Sequence, residues 1–397
     1  MNTIADIPFP NPPAVVIGLC KHGLYLTRNF TRHGVPVYVL ERDLEQPSAR
    51  TRYGHKIFCA NLEGDSLVQK LMELRRVLPR YTPLFPTNDR IIDLLLRHYG
   101  VLSEYYSFPF PAGDIVTRLK DKEILQIAAE EAGLNVPRSY IVRHEADLNK
   151  ISSDLKFPVA VKPSLPMMSF KSSKCNDLQS LKDQVVKSEK LVEPLIVQEW
   201  IDGDDRQILF AAYYIGQDGR CLARYSGRKL VCYPPLTGHA AATEGWNIEH
   251  LVDEGYSFLR RAGYWGLCSI EYKGELSAAK FIEVTVGRCD WWIMACGING
   301  VNIPMAAYND LLGTKVPFDN QQQDRFIWHD IECSIPVLLE NLLTKRWGPR
   351  ELVDYLRRPK YEALFDKSDL MPFLYFLKLV PYRILQAIGR RARRLVK

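Results

Sequence analysis

Three quarters of the way along the chain, two short runs, Leu267–Tyr272 (LCSIEY) and Lys280–Thr285 (KFIEVT), each hold one carboxylate among apolar residues. Ile270 and Tyr272 flank Glu271; Ile282 and Val284 flank Glu283. Side chains alternate across a strand, so each glutamate is expected to oppose the apolar residues beside it. The joining segment, Lys273–Ala279, is short and carries Gly274 near its start, as a hairpin would. Two carboxylates facing each other on neighbouring strands repel unless a hard cation lies between them. The pair is therefore a candidate metal site. The alternative is two solvated glutamates on the open face of a half-exposed sheet.

The chain has 397 residues, enough for two or three domains with full cores. Its formal charge of +6 is unevenly placed: the last twenty residues hold seven cations and no acid, which leaves the remainder at −1. The charge describes a tail, and a nucleic-acid-binding body is not indicated. Nine cysteines, without any CxxC spacing, indicate neither a disulfide framework nor a zinc site and fit reduced thiols in the cytosol. MNTIADIPFPNPP does not read as a signal peptide, and no run approaches the ~18 apolar residues of a spanning helix.

AVVI at 14–17, a glycine turn, a helical pattern through Lys21–Phe30 and VPVYVL at 35–40 make a βαβ unit, which predicts a parallel sheet. The glycines fall short of a full G-x-G-x-x-G, so a dehydrogenase-type dinucleotide site is the weaker reading of this unit. A helix over Leu67–Leu78, a strand over Tyr81–Phe85 and a helix capped by Asn88 or Asp89 follow, up to a boundary at Pro109, Pro111 and Gly113. Beyond it we expect one helix over Asp114–Ala132, strands at Ser139–Val142 and Phe157–Pro163, and a serine-rich loop, Ser164–Lys174. A helix (Asp177–Lys190), a strand (Leu195–Ile201), a hairpin (Gln207–Tyr214 with Cys221–Tyr225) and a helix (Ile248–Ala262) lead to the two glutamate runs. From Phe326 onward the pattern is helical, with no strand signal.

Several side chains suit a nucleotide. Lys162 leaves a strand beside a polar loop, and Lys122 starts a helix; ammonium groups neutralise phosphate as point charges. Gln198 and Glu199, followed by Trp200 and Ile201, could give adenine a polar partner, a backbone edge and an apolar wall. Asp204 or Asp205 could accept from ribose hydroxyls. Glu271 and Glu283 would hold magnesium against the phosphates, with Arg288 on the transferring group. Each has a plain alternative: a strand-end lysine is commonly surface, and Arg288 could simply pair with Asp290.

In order, PTNDRIIDLL, DKEILQIAAEEAGLNVPRSYIV, KFPVAVKPS, LIVQEWIDGDD and KFIEVTVGR make the stretch from about 14 to 313 resemble the ATP-grasp superfamily. The resemblance implies an α/β and α+β architecture: a Rossmann-like pre-ATP-grasp domain (1–112), a two-subdomain ATP-grasp domain (113–320) and a helical C-terminal region (321–397). It implies nucleotide contacts from Lys122, Lys162, Lys171, Gln198, Glu199, Trp200, Ile201, Asp204, Asp205 and Arg228. Glu271, Glu283 and Thr285 would be metal ligands, and Lys162 and Arg288 catalytic. Three departures stand out. Thr285 replaces the usual asparagine, the arginine falls one residue late, and the phosphate loop has serines and lysines for glycines.

The resemblance implies an ATP-dependent carboxylate–amine ligase working with magnesium, or with manganese in its place, on small-molecule acids and amines. The alternatives are a nucleotide-binding protein without turnover and a carboxylase-type enzyme. The loop after Arg228 and Lys229 would close over the triphosphate, with His239 a weaker candidate for a general base. The basic, apolar run Met371–Lys397 suits peripheral contact with an anionic membrane, or packing on the protein itself. A cytoplasmic protein, at the inner membrane face if the tail binds lipid, is expected, and a homodimer is left open.

Overall fold

The structure, a computed structural model, describes residues 11–164, 172–189, 194–314, 322–344 and 346–381. The first sheet holds β1 (Ala14–Ile17), β2 (Val37–Glu41), β3 (His55–Phe58), β4 (Thr82–Pro86) and β5 (Tyr106–Ser107), all parallel, in the order β3-β2-β1-β4-β5. All four residues of β1 are buried, because the sheet is covered on both faces. Val15 and Ile17 join one core with Leu67, Leu71 and Ile91, while Ala14 and Val16 join another with Leu26 and Phe30. Asn88, not Asp89, caps the helix Asp89–Arg97; its side chain accepts from the Ile91 N–H at 2.9 Å.

The single helix expected over Asp114–Ala132 is two, Ile115–Lys120 and Lys122–Glu131. Asp121 breaks it. Its carboxylate accepts from the N–H groups of Glu123 and Ile124 at 2.9 and 3.3 Å, a cap that outweighs continued periodicity. A small antiparallel sheet follows, made of β6 (Ser139–Val142), β7 (Val159–Pro163), β8 (Ser173–Cys175) and β9 (Leu195–Glu199) in the order β6-β9-β7-β8. It has a core of its own, with Val142, Val161 and Val197 under Leu181 and Val185 of the helix Leu178–Glu189.

The largest sheet holds β10 (Ile208–Ile215), β11 (Cys221–Tyr233), β12 (His239–Gly245), β13 (Gly266–Lys273), β14 (Lys280–Val286), β15 (Ile327–His329) and β16 (Lys360–Glu362). Their order is β14-β13-β10-β11-β12-β15-β16. β15 and β16 correct the expectation of helices alone after Phe326. Three-residue strands are too short to show alternation and are recruited by the neighbouring edge of β12.

The C-terminal part is fastened to the helix Lys21–Arg32 beside the parallel sheet by a buried ion pair. Arg28 Nε lies 2.9 Å from Asp369 Oδ2, both side chains almost wholly buried, and Asp369 also accepts from the Thr51 hydroxyl at 2.5 Å and the Arg52 N–H at 3.0 Å. Removing one partner leaves the other charge buried alone. Arg28→Ala should therefore lower unfolding free energy by about 3–5 kcal/mol in chemical denaturation; a loss below about 1 kcal/mol would show that the node does not hold the C-terminal segment.

Candidate functional site

Strand register decides which side chains meet. Glu271 pairs directly with Glu283 on one side and with Phe210 on the other, and Phe210 pairs with Gly227. Directly paired residues share a face, and residues two apart on a strand share it too. Ile208, Phe210, Lys229, Glu271, Lys273 and Glu283 therefore lie on one face, and Arg228 lies on the other. This face floors a cavity of about 300 Å³ roofed by the small sheet. The cavity is lined by Lys122, Lys162, Gln198, Glu199, Trp200, Ile201, Glu271, Glu283 and Arg288, which the sequence had singled out.

At the floor, Lys229 is 1% exposed and its ammonium lies 2.7 Å from Glu271 Oε2. Burial alone would lower its pKa, but the Glu271 and Glu283 carboxylates push it up. Lys273, also buried, is held below the usual lysine range by desolvation, and its ammonium lies 4.9 Å from the Trp200 ring centre. Lys174 of β8 lies 4.5 Å from the same ring centre. On the roof, Lys162 donates to Gln198 Oε1 at 3.0 Å, and the Gln198 amide donates to the Ser139 hydroxyl at 3.0 Å. Burial would raise the Glu199 pKa, but Lys280 at 2.6 Å and the Arg138 N–H at 3.0 Å hold it down.

Arg288 enters the cavity from the turn after β14. Gly287 makes that turn with φ +75°. A side chain there would also press on Ile92 and Phe110 at 3.2–3.3 Å. Arg288 sits between Asp89 at 3.1 Å and Asp290 at 2.5 Å. Burial would lower its pKa; the two carboxylates raise it instead. Asp290 also lines a second cavity, of about 570 Å³, with Cys20, His22, Trp291, Trp328 and Asp330.

No family model matches the chain. It is 23% identical over 278 residues to the D-aspartate ligase of Enterococcus faecium (strain Aus0004). That match covers 64% of this chain and 65% of the relative, just under two thirds of its length. Among solved structures, N5-carboxyaminoimidazole ribonucleotide synthetase in its ADP complex superposes with a TM-score of 0.64 at 12% identity, covering 80% of this chain and 81% of that one. The L-amino acid ligase of Bacillus licheniformis gives 0.61 at 16% identity, covering 80% and 78%. The biotin carboxylase domain of the Hydrogenobacter thermophilus 2-oxoglutarate carboxylase, with MgADP and bicarbonate, gives 0.63 at 12%, covering 80% and 74%. The chain has the ATP-grasp fold.

Within the ATP-grasp fold, four of the expected site residues do not reach the cleft. Asp204 caps a short turn and holds Arg206, with its Oδ2 2.9 Å from Arg206 Nε. Asp205 is 4% exposed and accepts from the N–H groups of Cys232 and Leu236 at 2.7 and 2.8 Å. Arg228, on the reverse face, pairs with Glu244 at 2.6 Å and lies 3.5 Å from the Trp246 ring centre. Thr285 shares the face of Glu283 but lies outside the cavity lining. Lys171 falls outside the described residues. The reading also missed Lys229, Lys273 and Asp89 as cavity residues. Strand parity separates Lys229 from Arg228, but only once a register ties one of them to Glu271.

Asp205 instead anchors the turn that brings Leu236, Thr237 and Gly238 to the cleft. Removing its carboxylate orphans two backbone N–H groups, at about 1–3 kcal/mol each if they stay dry. Asp205→Ala should speed hydrogen exchange and proteolysis within 232–238 first; uniform loosening of the whole chain would contradict this.

Proposed function

We propose that the chain is an ATP-dependent carboxylate–amine ligase: ATP phosphorylates a substrate carboxylate, and an amine displaces phosphate to give an amide. One observation carries the reading. Two carboxylates face each other across β13 and β14 in the same cavity as Lys162, Lys229 and Arg288. A carboxylate is a poor electrophile, since its leaving group would be oxide; conversion to an acyl phosphate supplies a better one. The protein's part is alignment and charge neutralisation. Lys162, Lys229 and Arg288 would neutralise the phosphates and the transferring group, with Gln198, Glu199 and the Trp200–Ile201 backbone beside the base.

Magnesium takes one or two carboxylates and completes its shell with waters and substrate phosphates. Glu271 and Glu283 fit that demand, and manganese would use the same oxygens. Among the described residues no cluster of three or more acidic, histidine or cysteine groups forms a metal cage, so the remaining ligands would be phosphate and water. The D-aspartate ligase relative makes D-aspartate the first acid to try. We also propose the division 1–112, 113–320 and 321–397, with β15 and β16 tying the third part to the large sheet.

The test is ADP release with pooled amino acids and amines. Glu283→Gln should lower it by about 10²–10³, the scale of losing one preorganised charge contact, and chelation of the divalent ion should abolish it. ADP release by the variant at the wild-type rate would remove the metal assignment.

We further propose peripheral contact with an anionic membrane. Met371, Leu374 and Leu377 are exposed along the helical segment 371–381, and the sequence after Pro381 adds six of the seven tail cations with no acid. The protein should sediment with phosphatidylserine vesicles and not with phosphatidylcholine vesicles, and Leu374→Glu with Leu377→Glu should abolish this. Equal sedimentation of the double variant would place the apolar stripe elsewhere.

A further inference from the structure

We infer that Cys20, paired with His22, is the base that accepts a proton from the incoming amine, and that the second cavity is where that amine enters. The inference rests on the ligase reading. Cys20 stands at the N-cap of the twelve-residue helix Lys21–Arg32, and both Cys20 and His22 line the 570 Å³ cavity. His22 Nε2 lies 3.0 Å from the Thr87 carbonyl oxygen, which can only accept, so that nitrogen carries a proton. The other ring nitrogen lies 3.9 Å from Asp290 Oδ1. Asp290 in turn holds Arg288, which lines the nucleotide cleft. The chain Arg288–Asp290–His22 thus joins the two cavities, and Cys20 stands beside its far end.

The surroundings favour charge separation in the pair. Burial by itself would raise the Cys20 thiol, but the His22 ring, the backbone N–H near Gly23 and the Thr87 hydroxyl outweigh it and lower the pKa. Burial would lower His22; the Cys20 sulfur and Asp290 push it up to about 9. The neighbouring Cys289 thiol is pushed up by burial and by Asp290. Lys21, next to Cys20, is clasped by Asp330 at 2.6 Å and Glu332 at 2.9 Å. With Asp43 and Asp290 these give the cavity lining more acids than Lys21 can balance, beside Trp291 and Trp328, which suits a cationic amine on an apolar stem.

A primary amine arrives as an ammonium, whose nitrogen has no free lone pair. The Cys20 thiolate takes one proton. The freed lone pair forms the C–N bond at the acyl phosphate carbon, and the C–O bond breaks with its electrons leaving on phosphate. The remaining surplus N–H proton goes to that phosphate, giving the amide and hydrogen phosphate. Cys20 then releases its proton to water through the cavity.

Two measurements on the full chain test this. The first needs no substrate: iodoacetamide labelling of Cys20 against pH, mapped by mass spectrometry. The wild-type midpoint should fall below the free-thiol value of about 8.5, and His22→Gln should move it up. A midpoint at the free-thiol value, unmoved by His22→Gln, overturns the pairing. The second compares nucleophiles with ATP and D-aspartate or a pooled acid panel. Hydroxylamine is uncharged at neutral pH and needs no base. Cys20→Ser should keep hydroxamate formation while losing amide formation with pooled primary amines by about 10²-fold or more, within the usual range for a general base. Amide formation by Cys20→Ser at the wild-type rate and pH dependence overturns the role. So does a wild type that forms hydroxamate yet accepts no primary amine. Absence of hydroxamate from the wild type counts against the ligase reading and the base role with it, while labelling still judges the thiol pair by itself.

Discussion

A buried ammonium against two carboxylates sets the terms for the rest of the cleft. Lys229, Glu271 and Glu283 share one sheet face, and burial makes each charge costly unless the others are there. Two acids, Glu271 and Glu283, and two lysines, Lys229 and Lys273, balance on the floor beneath a roof that adds Lys162. On the proposed reading, a triphosphate with its divalent ion would suit both halves: the ion would meet the acids and the phosphate oxygens would meet Lys162 and Arg288.

The parallel sheet and its helices are part of this arrangement. Asp89 opens a helix capped by Asn88 and pairs with Arg288, so the arginine is held both from the helix after β4 and from Asp290 beside β14. Gly287 releases the chain from β14 at the point where Arg288 must turn inward. Cores are shared in the same way: Val15 and Ile17 of the parallel sheet belong to one cluster with Leu209 and Ile270 of the large one. The small sheet is different, since its core is made of its own strands and of residues such as Leu148, Leu181 and Val185 from the helices packed on it.

Much of this was legible in the sequence. AVVI and VPVYVL announce buried parallel strands, and the period-two setting of Glu271 and Glu283 foretells their facing positions. Asp205 was misread because its chemistry, a carboxylate after a glycine, serves a turn as readily as a ribose; only its two backbone donors reveal which. Lys229 hid beside Arg228 because alternation separates neighbours without saying which of them faces in. β15 and β16 were invisible, since a three-residue strand is defined by the edge it joins.

Trp200, just past β9, has both Lys174 of the small sheet and Lys273 of the large one beside its ring. Such contacts are worth about 0.5–1 kcal/mol where exposed and about 2 kcal/mol or more where desolvated. The Trp200 ring therefore couples the small sheet to the large one through charge and polarisability, with no interdigitated apolar packing required between those side chains. Its emission therefore reports directly on how far those two ammonium groups stand from the ring.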